Sequence, residues 1–224
     1  MPFLHPPLKN IDTKEILRYA GMREYDTGVE KSLENTIKEA YLYCQPKGVW
    51  EPYEYKEFYL LRNGQRSYHL GSTQLCRHLQ GALRIMMLAV TVGTEVETRI
   101  EKLFASGEYT KALLLDAAAT AAVEQIADKV CAFIANSVKK EGLIAGTRFS
   151  PGYGDWDIRE QGEVLSLANA GAIGISMTKS CMLIPRKSVT AALGLKPFAE
   201  ENNDKGDCAR CEKIDCQLRR KKDA

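Results

Sequence analysis

The sequence has few histidines and none of the common hydrolase motifs. Its three histidines, His5, His69 and His78, show no spacing typical of a metal site. A Gly-rich phosphate loop, a His-Glu-x-x-His element and a Gly-x-Ser-x-Gly elbow are all missing. Hydrolytic chemistry therefore has no support in the sequence.

Excess charge and long apolar runs are also missing. The chain has 31 basic and 29 acidic residues, a net charge of +2, so no polyanion is indicated as a partner and we expect no nucleic-acid binding. No uncharged apolar run approaches the ~18 residues of a membrane span. Residues 1–7 lack the basic start and apolar core of a signal peptide. We therefore expect no membrane partner and a cytoplasmic location.

Hydrophobic periodicity predicts helices mixed with short strands. The predicted helices are 12–20, a segment carrying Leu33, Ile37, Tyr41 and Cys44, 75–83, a helix after a capping box at Thr94, 111–138 and 158–168. The predicted strands are 57–61 and 67–70, joined by an Asn63-Gly64 turn, then 85–92, 173–178, 182–184 and 189–193. Breaks are expected at Pro46, Gly48 and Pro52. Because no regular βαβ unit appears, the fold class is α+β.

Residues 148–155 combine a cation, a rigid turn and an aromatic ring. Pro151 fixes its own φ angle, and Gly152 permits a backbone conformation and a close approach that a Cβ would prevent. Arg148 carries a planar guanidinium suited to a carboxylate or phosphate, and Tyr153 offers a flat face and a hydroxyl. The segment is interpreted as a small-ligand site; the alternative is an ordinary Pro-Gly surface turn.

Two acidic residues share one side of the long Ala-rich helix. Asp116 and Glu124 are eight positions apart, which places them about 80° apart around a helix axis. Both can therefore face one broad side, where they would attract a cation. The alternative is that they are solvated charges on an amphipathic helix.

The sequence resembles the activation domain of cobalamin-dependent methionine synthase, in a free-standing form. In that family an Arg-x-x-Pro-Gly-Tyr element binds S-adenosylmethionine, and Arg148, Pro151, Gly152 and Tyr153 match it at the same spacing. Residues 182–190 resemble the family's Met-x-Pro-x-x-Ser-Val segment. The resemblance covers about residues 80–195 and implies an antiparallel sheet with helices packed around it.

The resemblance extends to the acidic helix. Leu115-Asp116 with Glu124 resembles an acidic, Ala-rich helix of the same domain. Where the family has a further acid one turn after Asp116, this chain has Thr120. The resemblance implies that Arg148 binds the methionyl carboxylate, that Gly152 makes a close backbone contact and that Tyr153 covers the ligand. It assigns the amino group or sulfonium charge to Asp116 or Glu124.

The implied function is reductive reactivation of a corrinoid protein. Cob(I)alamin that has been oxidised to cob(II)alamin receives one electron from a flavodoxin- or ferredoxin-like donor, and S-adenosylmethionine then methylates the reduced cobalt.

We divide the chain into an N-terminal helical and hairpin part (1–75), an activation-domain-like core (76–199) and a cysteine-containing tail (200–224). Because its length leaves no room for a cobalamin module, we expect it to act on a separate corrinoid protein, such as a methionine synthase lacking this domain. It is not expected to be a complete methionine synthase.

The tail departs from the family pattern. Cys208, Cys211 and Cys216 form a C-x2-C-x4-C cluster in a chain of seven cysteines. Zinc with a fourth ligand from elsewhere, an iron–sulfur cluster and a redox or corrinoid-directed dithiol all fit this spacing, as do unligated surface thiols. The alternative function is therefore a metal or iron–sulfur accessory of a corrinoid methyltransferase system, with electron transfer as its task. A third possible function is a module that recognises a corrinoid protein without turnover.

The other four cysteines, Cys44, Cys76, Cys131 and Cys181, are expected to be buried free thiols.

Overall fold

The computed structural model describes residues 2–22 and 27–198. Its strands are β1 Phe3–Leu4, β2 Lys47–Lys56, β3 Tyr59–Arg62, β4 Gln65–His69, β5 Arg84–Thr91, β6 Leu143–Phe149, β7 Ser176–Met177, β8 Leu183–Ile184 and β9 Ser188–Pro197. Its helices are α1 Thr13–Tyr19, α2 Thr27–Tyr43, α3 Thr73–His78, α4 Glu95–Ala105, α5 Tyr109–Val138 and α6 Gln161–Leu167. Short 3₁₀ turns occupy Lys139–Glu141, Ile158–Glu160 and Ala170–Ile173.

The main sheet has the strand order β4-β3-β2-β5-β9-β6, and β1 also pairs with β2. The pairs β1–β2, β2–β3, β3–β4 and β6–β9 are antiparallel. Strands β7 and β8 form a separate antiparallel pair. This arrangement confirms the predicted α+β class with an antiparallel sheet and packed helices. Among the described helices, none combines the length and apolar character that crossing a bilayer requires.

The described residues fall into two compact units, each assembled from three segments. The first unit takes them from Met1–Trp50, Ala89–Val130 and Asn169–Val189, and the second from Glu51–Leu88, Cys131–Ala168 and Thr190–Ala224. Strands β2, β5 and β9 contribute residues to both.

In the first unit, the long helix α5 packs on β2 at a glycine. A Cβ added to Gly48 would lie 2.6 Å from a methyl carbon of Val130, so only glycine allows this approach. On α5 itself, the small side chains of Ala118, Ala119 and Ala122 are fully buried, so other elements can pack close to the helix there. Close helix packing thus follows from small residues on both elements.

Several sequence predictions are confirmed. Helix α1 at Thr13–Tyr19 lies within the predicted 12–20, and the Asn63-Gly64 turn joins β3 to β4. Strand β5 is buried without alternation, as its continuous apolar run predicts for a strand covered on both faces. The helix predicted at 111–138 is the longest described one, and that at 158–168 begins as a 3₁₀ turn before α6.

Other predictions are wrong. The strand expected at 173–178 is shortened to Ser176–Met177, because the 3₁₀ turn Ala170–Ile173 runs into its start and Gly174, with a positive φ of 79°, bonds back to Gly171. The helix expected at 75–83 ends at His78, shortly before Gly81 with its φ of 79°. Residues 47–56, taken as broken, form the ten-residue strand β2.

The capping box at Thr94 is also wrong. Thr94 is the N-cap of α4 but makes no side-chain cap bond. The Glu97 carboxylate, which would complete the box, instead accepts a bond of 2.8 Å from the backbone N–H of Lys187. A tertiary contact therefore replaces the local one.

Candidate functional site

Arg148 lies near the end of β6, where the strand pairing is irregular. Ala145 is opposite Leu195, whereas Arg148 is opposite Leu193, so β6 contains one more residue than β9 over this interval. Such a β-bulge changes the face to which the following side chains point. The direction of the half-buried Arg148 side chain is therefore set by the bulge as well as by the strand.

His78 of α3 contacts the bulge. Its ring nitrogen Nε2 lies 2.7 Å from the carbonyl oxygen of Thr147. Because a carbonyl can only accept, Nε2 carries the hydrogen in this contact. The imidazole also lies against Phe149, with ring centroids 5.2 Å apart.

The Pro-Gly turn after β6 is closed by three backbone hydrogen bonds. Tyr153 N–H donates to Ser150 (3.1 Å), Trp156 N–H donates to Tyr153 (2.9 Å), and Gly152 N–H donates to the carbonyl of Trp156 (2.8 Å). Gly152 has a φ of 87°, a conformation that glycine adopts without strain. Pro151 is buried and Gly152 is exposed, so the turn presents its glycine outward on a fixed base.

An aromatic cluster supports this turn from β6. The ring of Phe149 stacks on Trp156 with centroids 6.2 Å apart, and Tyr153 meets Phe149 edge-on at 6.0 Å. Trp156 is buried, with 2% of its surface exposed, whereas Tyr153 retains 53%. Tyr153 is thus anchored at an edge and still accessible to a ligand.

Asp155 attaches the turn to the start of α3. Its carboxylate accepts a hydrogen bond from the Ser72 hydroxyl and bonds of 3.0 Å each from the backbone N–H groups of Thr73 and Gln74. The Ser72 oxygen also accepts from Leu75 N–H at 3.0 Å, as a helix N-cap does. The Ser72 bond, with those of Gln74 and Thr73, lowers the pKa of Asp155 below its usual range.

Sequence reasoning missed the roles of Asp155 and His78. A serine opening a helix at Ser72 was the visible signal for an N-cap. Nothing in the sequence indicated that a carboxylate from the candidate turn would join that cap, because the two lie more than eighty positions apart.

The elements next to the two sequence motifs are also joined within the second unit. Besides the pairing of Arg148 with Leu193, the Gln161 side-chain amide donates a 2.6 Å bond to the Thr190 hydroxyl. Gln161 is 4% exposed and Thr190 2%. Thr190 follows the Ser-Val pair of the second motif, so this buried bond ties that motif to the helix that follows the turn.

In the first unit, Asp116 has a cationic neighbour from the chain itself. Lys187 Nζ lies 2.8 Å from an Asp116 carboxylate oxygen. The same ammonium donates a 2.8 Å bond to the hydroxyl of Thr120. The Thr120 hydroxyl in turn donates to the Asp116 carbonyl at 2.9 Å.

Glu124 has a different environment. Burial raises the pKa of the Tyr19 hydroxyl, and the negative charge of Glu124 raises it further. Asp116 and Glu124 thus have different neighbours, a lysine ammonium at Asp116 and a neutral phenol at Glu124. Their assignment to a ligand stays a prediction.

The cysteine predictions are only partly tested. Cys44 is buried, and burial raises the pKa of its thiol to about 12. Cys76, Cys131 and Cys181 are only half-buried, so the expectation of burial is wrong for them. The tail cysteines Cys208, Cys211 and Cys216 lie outside the described residues. Within residues 2–22 and 27–198, no cluster of His, Cys, Asp and Glu is arranged to hold a metal ion.

The architecture around these residues is shared with a solved structure. The fold is similar to that in the "Crystal Structure of the MetH Reactivation Domain bound to AdoHcy", with a TM-score of 0.64 over 90% of this chain and 80% of that chain, at 14% sequence identity. At this identity the likeness concerns the fold alone, and it defines the class as an α+β domain of that architecture.

The sequence gives the family. The family described as "Vitamin B12 dependent methionine synthase, activation domain" matches residues 77–213, more than half of the 224-residue chain. The chain therefore belongs to the activation-domain family of vitamin B12-dependent methionine synthase, as the resemblance had indicated. No curated protein matches it.

Proposed function

We propose that this chain binds S-adenosylmethionine and supports the reductive methylation of cob(II)alamin on a separate corrinoid protein, such as a methionine synthase lacking this domain. Family membership supports a reactivation role. The solved protein of the same fold binds AdoHcy, the product of methyl transfer from this ligand. The observation that carries the proposal is the turn after Arg148, which is held by β6 on one side and by Asp155 on the other.

The residues of this turn fit the chemistry of the ligand. The guanidinium of Arg148 matches the methionyl carboxylate in charge and in its two-pronged geometry. Gly152 is exposed and has no side chain, so a ligand can approach the backbone there. The buried Pro151 fixes the conformation of the turn. The accessible face of Tyr153 is suited to covering an adenine or a sulfonium group.

The protein's contribution to the reaction is positioning. One electron from a flavodoxin- or ferredoxin-like donor converts cob(II)alamin to cob(I)alamin. The methyl group of S-adenosylmethionine then passes to that cobalt, leaving S-adenosylhomocysteine. Arg148, Gly152 and Tyr153 hold the methyl donor in one orientation, which lowers the entropic cost of bringing its methyl group to the cobalt.

A carboxylate for the ligand's amino group or sulfonium is a separate part of the proposal. Asp116 and Glu124 are its candidates, and each is tested by its own variant. Lys187 already compensates the charge of Asp116, so a ligand cation would compete with Lys187 at that carboxylate.

Single-turnover methylation tests the proposed function. Cob(II)alamin on a corrinoid-binding protein is mixed with this chain, S-adenosylmethionine and a one-electron reductant, and its absorbance is followed to methylcobalamin. We expect conversion with the wild-type chain and with Arg77→Ala, whose exposed arginine lies on α3. Arg148→Ala should abolish the chain-dependent conversion. Equal conversion with and without the chain would contradict the proposal.

The tail carries the second candidate function, that of a metal or iron–sulfur accessory with a role in electron transfer. Its support is the C-x2-C-x4-C spacing of Cys208, Cys211 and Cys216. Anaerobic purification followed by metal analysis and visible absorption tests it. Brown protein containing iron would favour a cluster, colourless protein containing zinc a structural site, and metal-free protein would leave only the thiol roles.

A further inference from the structure

One short helix, α3, contacts the ligand-binding segment on both sides. At its start, Ser72 and the backbone N–H groups of Thr73 and Gln74 bind Asp155, which follows the turn. At its end, His78 binds the carbonyl of Thr147, which precedes Arg148. The segment is therefore fixed at two points to one element.

The contact at His78 acts on a particular peptide group. The carbonyl of Thr147 and the N–H of Arg148 belong to the same planar unit, so a bond to that oxygen fixes the plane through which the chain enters Arg148. The strand ladder fixes this plane less well than in a regular strand, since Thr147 lies inside the irregular interval between Ala145 and Arg148. The imidazole is itself held against Phe149.

We propose that His78 is a positioning residue for Arg148: its Nε2–H holds the Thr147 carbonyl and thereby aims the guanidinium at the ligand's carboxylate. The inference rests on the proposed function and adds to it a residue that touches no ligand. Because His78 serves as a hydrogen-bond donor here, the test compares replacements that remove this donor with one that keeps it.

The main variant is His78→Phe, which keeps an aromatic ring but removes the donor; His78→Leu is used if it does not fold. We expect roughly three- to tenfold weaker binding of S-adenosylmethionine, the size of one hydrogen bond. His78→Gln keeps an N–H donor and should recover most of the affinity. The matched control is Tyr53→Phe, which removes another side-chain bond to a backbone carbonyl of the second unit, that of Leu167 at 2.9 Å. It should leave the affinity unchanged.

A double-mutant cycle separates positioning from a general loss of stability. If His78 acts through Arg148, His78→Phe should weaken binding only while Arg148 is present and have no further effect in Arg148→Ala. An equal loss in both backgrounds, or unchanged affinity of His78→Phe, would overturn the inference. Thermal unfolding of every variant records the change in stability separately.

A ligand-free measurement keeps this inference distinct from the proposed function. The Nε–H resonance of Arg148, identified by its disappearance in Arg148→Ala, should shift in His78→Phe and stay in place in Tyr53→Phe. If the wild-type chain binds no S-adenosylmethionine, the proposed function fails, and this resonance alone decides whether His78 positions Arg148. An unshifted resonance would overturn the positioning role.

Discussion

The ammonium nitrogen of Lys187 lies 2.8 Å from a carboxylate oxygen of Asp116, so one acid of the predicted ligand-binding helix is compensated within the chain. The Lys187 side chain is 13% exposed and that of Asp116 38%. The Lys187 backbone is also held, since its N–H donates to Glu97 and its carbonyl accepts from Val92 N–H. The pair therefore joins α5 to the Pro-Arg-Lys-Ser part of the second motif inside the first unit.

Removing Asp116 should destabilise the protein. In Asp116→Ala the largely buried ammonium of Lys187 loses its carboxylate, and we expect the free energy of unfolding to fall by about 1–3 kcal/mol. Urea unfolding measures this. Glu101→Ala is the control, because its carboxylate lies 3.9 Å from Arg186 on the surface, with 71% of its side chain exposed. Equal losses of unfolding free energy in the two variants would show that the Asp116–Lys187 pair stabilises the protein no more than an exposed ion pair.

Asp116 and Glu124 should differ in their effect on ligand affinity. Glu124→Gln should weaken binding of S-adenosylmethionine by roughly three- to tenfold, because it removes a carboxylate that the ligand's positive charge would attract. Asp116→Asn should have a smaller effect, since Lys187 already occupies that carboxylate. Calorimetric titration of both variants checks the order. The reverse order would assign the amino group to Asp116.

The attachment of the turn to α3 should depend on pH. The folded-state pKa of Asp155 lies below its ordinary value of 3.8, so its contribution to stability is present above about pH 3.8 and is lost as the pH falls through the folded pKa. The stability difference between wild type and Asp155→Asn should be full near neutral pH and shrink below pH 3.8. Thermal unfolding across this range measures it.

A neighbouring carboxylate provides the control for that prediction. Asp157 has a pKa lowered to about 2 by its bonds to Arg159, so Asp157→Asn should also show acid-dependent stability. Of these two variants, only Asp155→Asn should weaken binding of S-adenosylmethionine, because the Asp155 carboxylate bonds to the start of α3, whereas that of Asp157 bonds to Arg159. Equal affinities of the two variants would show that the contact between Asp155 and α3 does not contribute to ligand binding.

Gly154 should tolerate alanine less well than an ordinary glycine. It has a φ of 54°, and an added Cβ would lie 2.7 Å from the side-chain carbon Cδ of Gln74. We expect Gly154→Ala to lower the free energy of unfolding by about 1–3 kcal/mol through backbone strain and displacement of Gln74. Gly171→Ala is the control, since that position has no positive φ and no atom within 4 Å of an added Cβ. A Gly154→Ala protein as stable as wild type would contradict the account of the turn.

Much of the fold was predictable because its signals are local. The Asn-Gly turn, the Asp12 cap and the apolar periodicity of α5 each depend on neighbouring residues. Strand β2 escaped prediction because Gly48 and Pro52 normally interrupt strands. In the structure Gly48 makes room for Val130. Pro52 falls between the residues that pair with β1 and those that pair with β3, where its missing N–H costs no bond to either strand.

The candidate site was predictable as a motif but not as a geometry. The positions of Arg148, Pro151, Gly152 and Tyr153 follow from the sequence, and their backbone turn is the one that proline and glycine favour. The partners that fix them, Asp155 with Ser72 and His78 with Thr147, are about seventy or more positions apart. Such pairs depend on the tertiary fold, which no local pattern contains.

The most direct test of the central claim is calorimetric titration of anaerobically purified protein with S-adenosylmethionine, and with S-adenosylhomocysteine alongside. We predict binding by the wild-type chain and by Arg77→Ala, and a loss of about 2–4 kcal/mol of binding free energy in Arg148→Ala, because a charge-assisted bidentate contact is removed and a carboxylate left unpaired. Unchanged affinity in Arg148→Ala, with both variants folded, would contradict the assignment of the site.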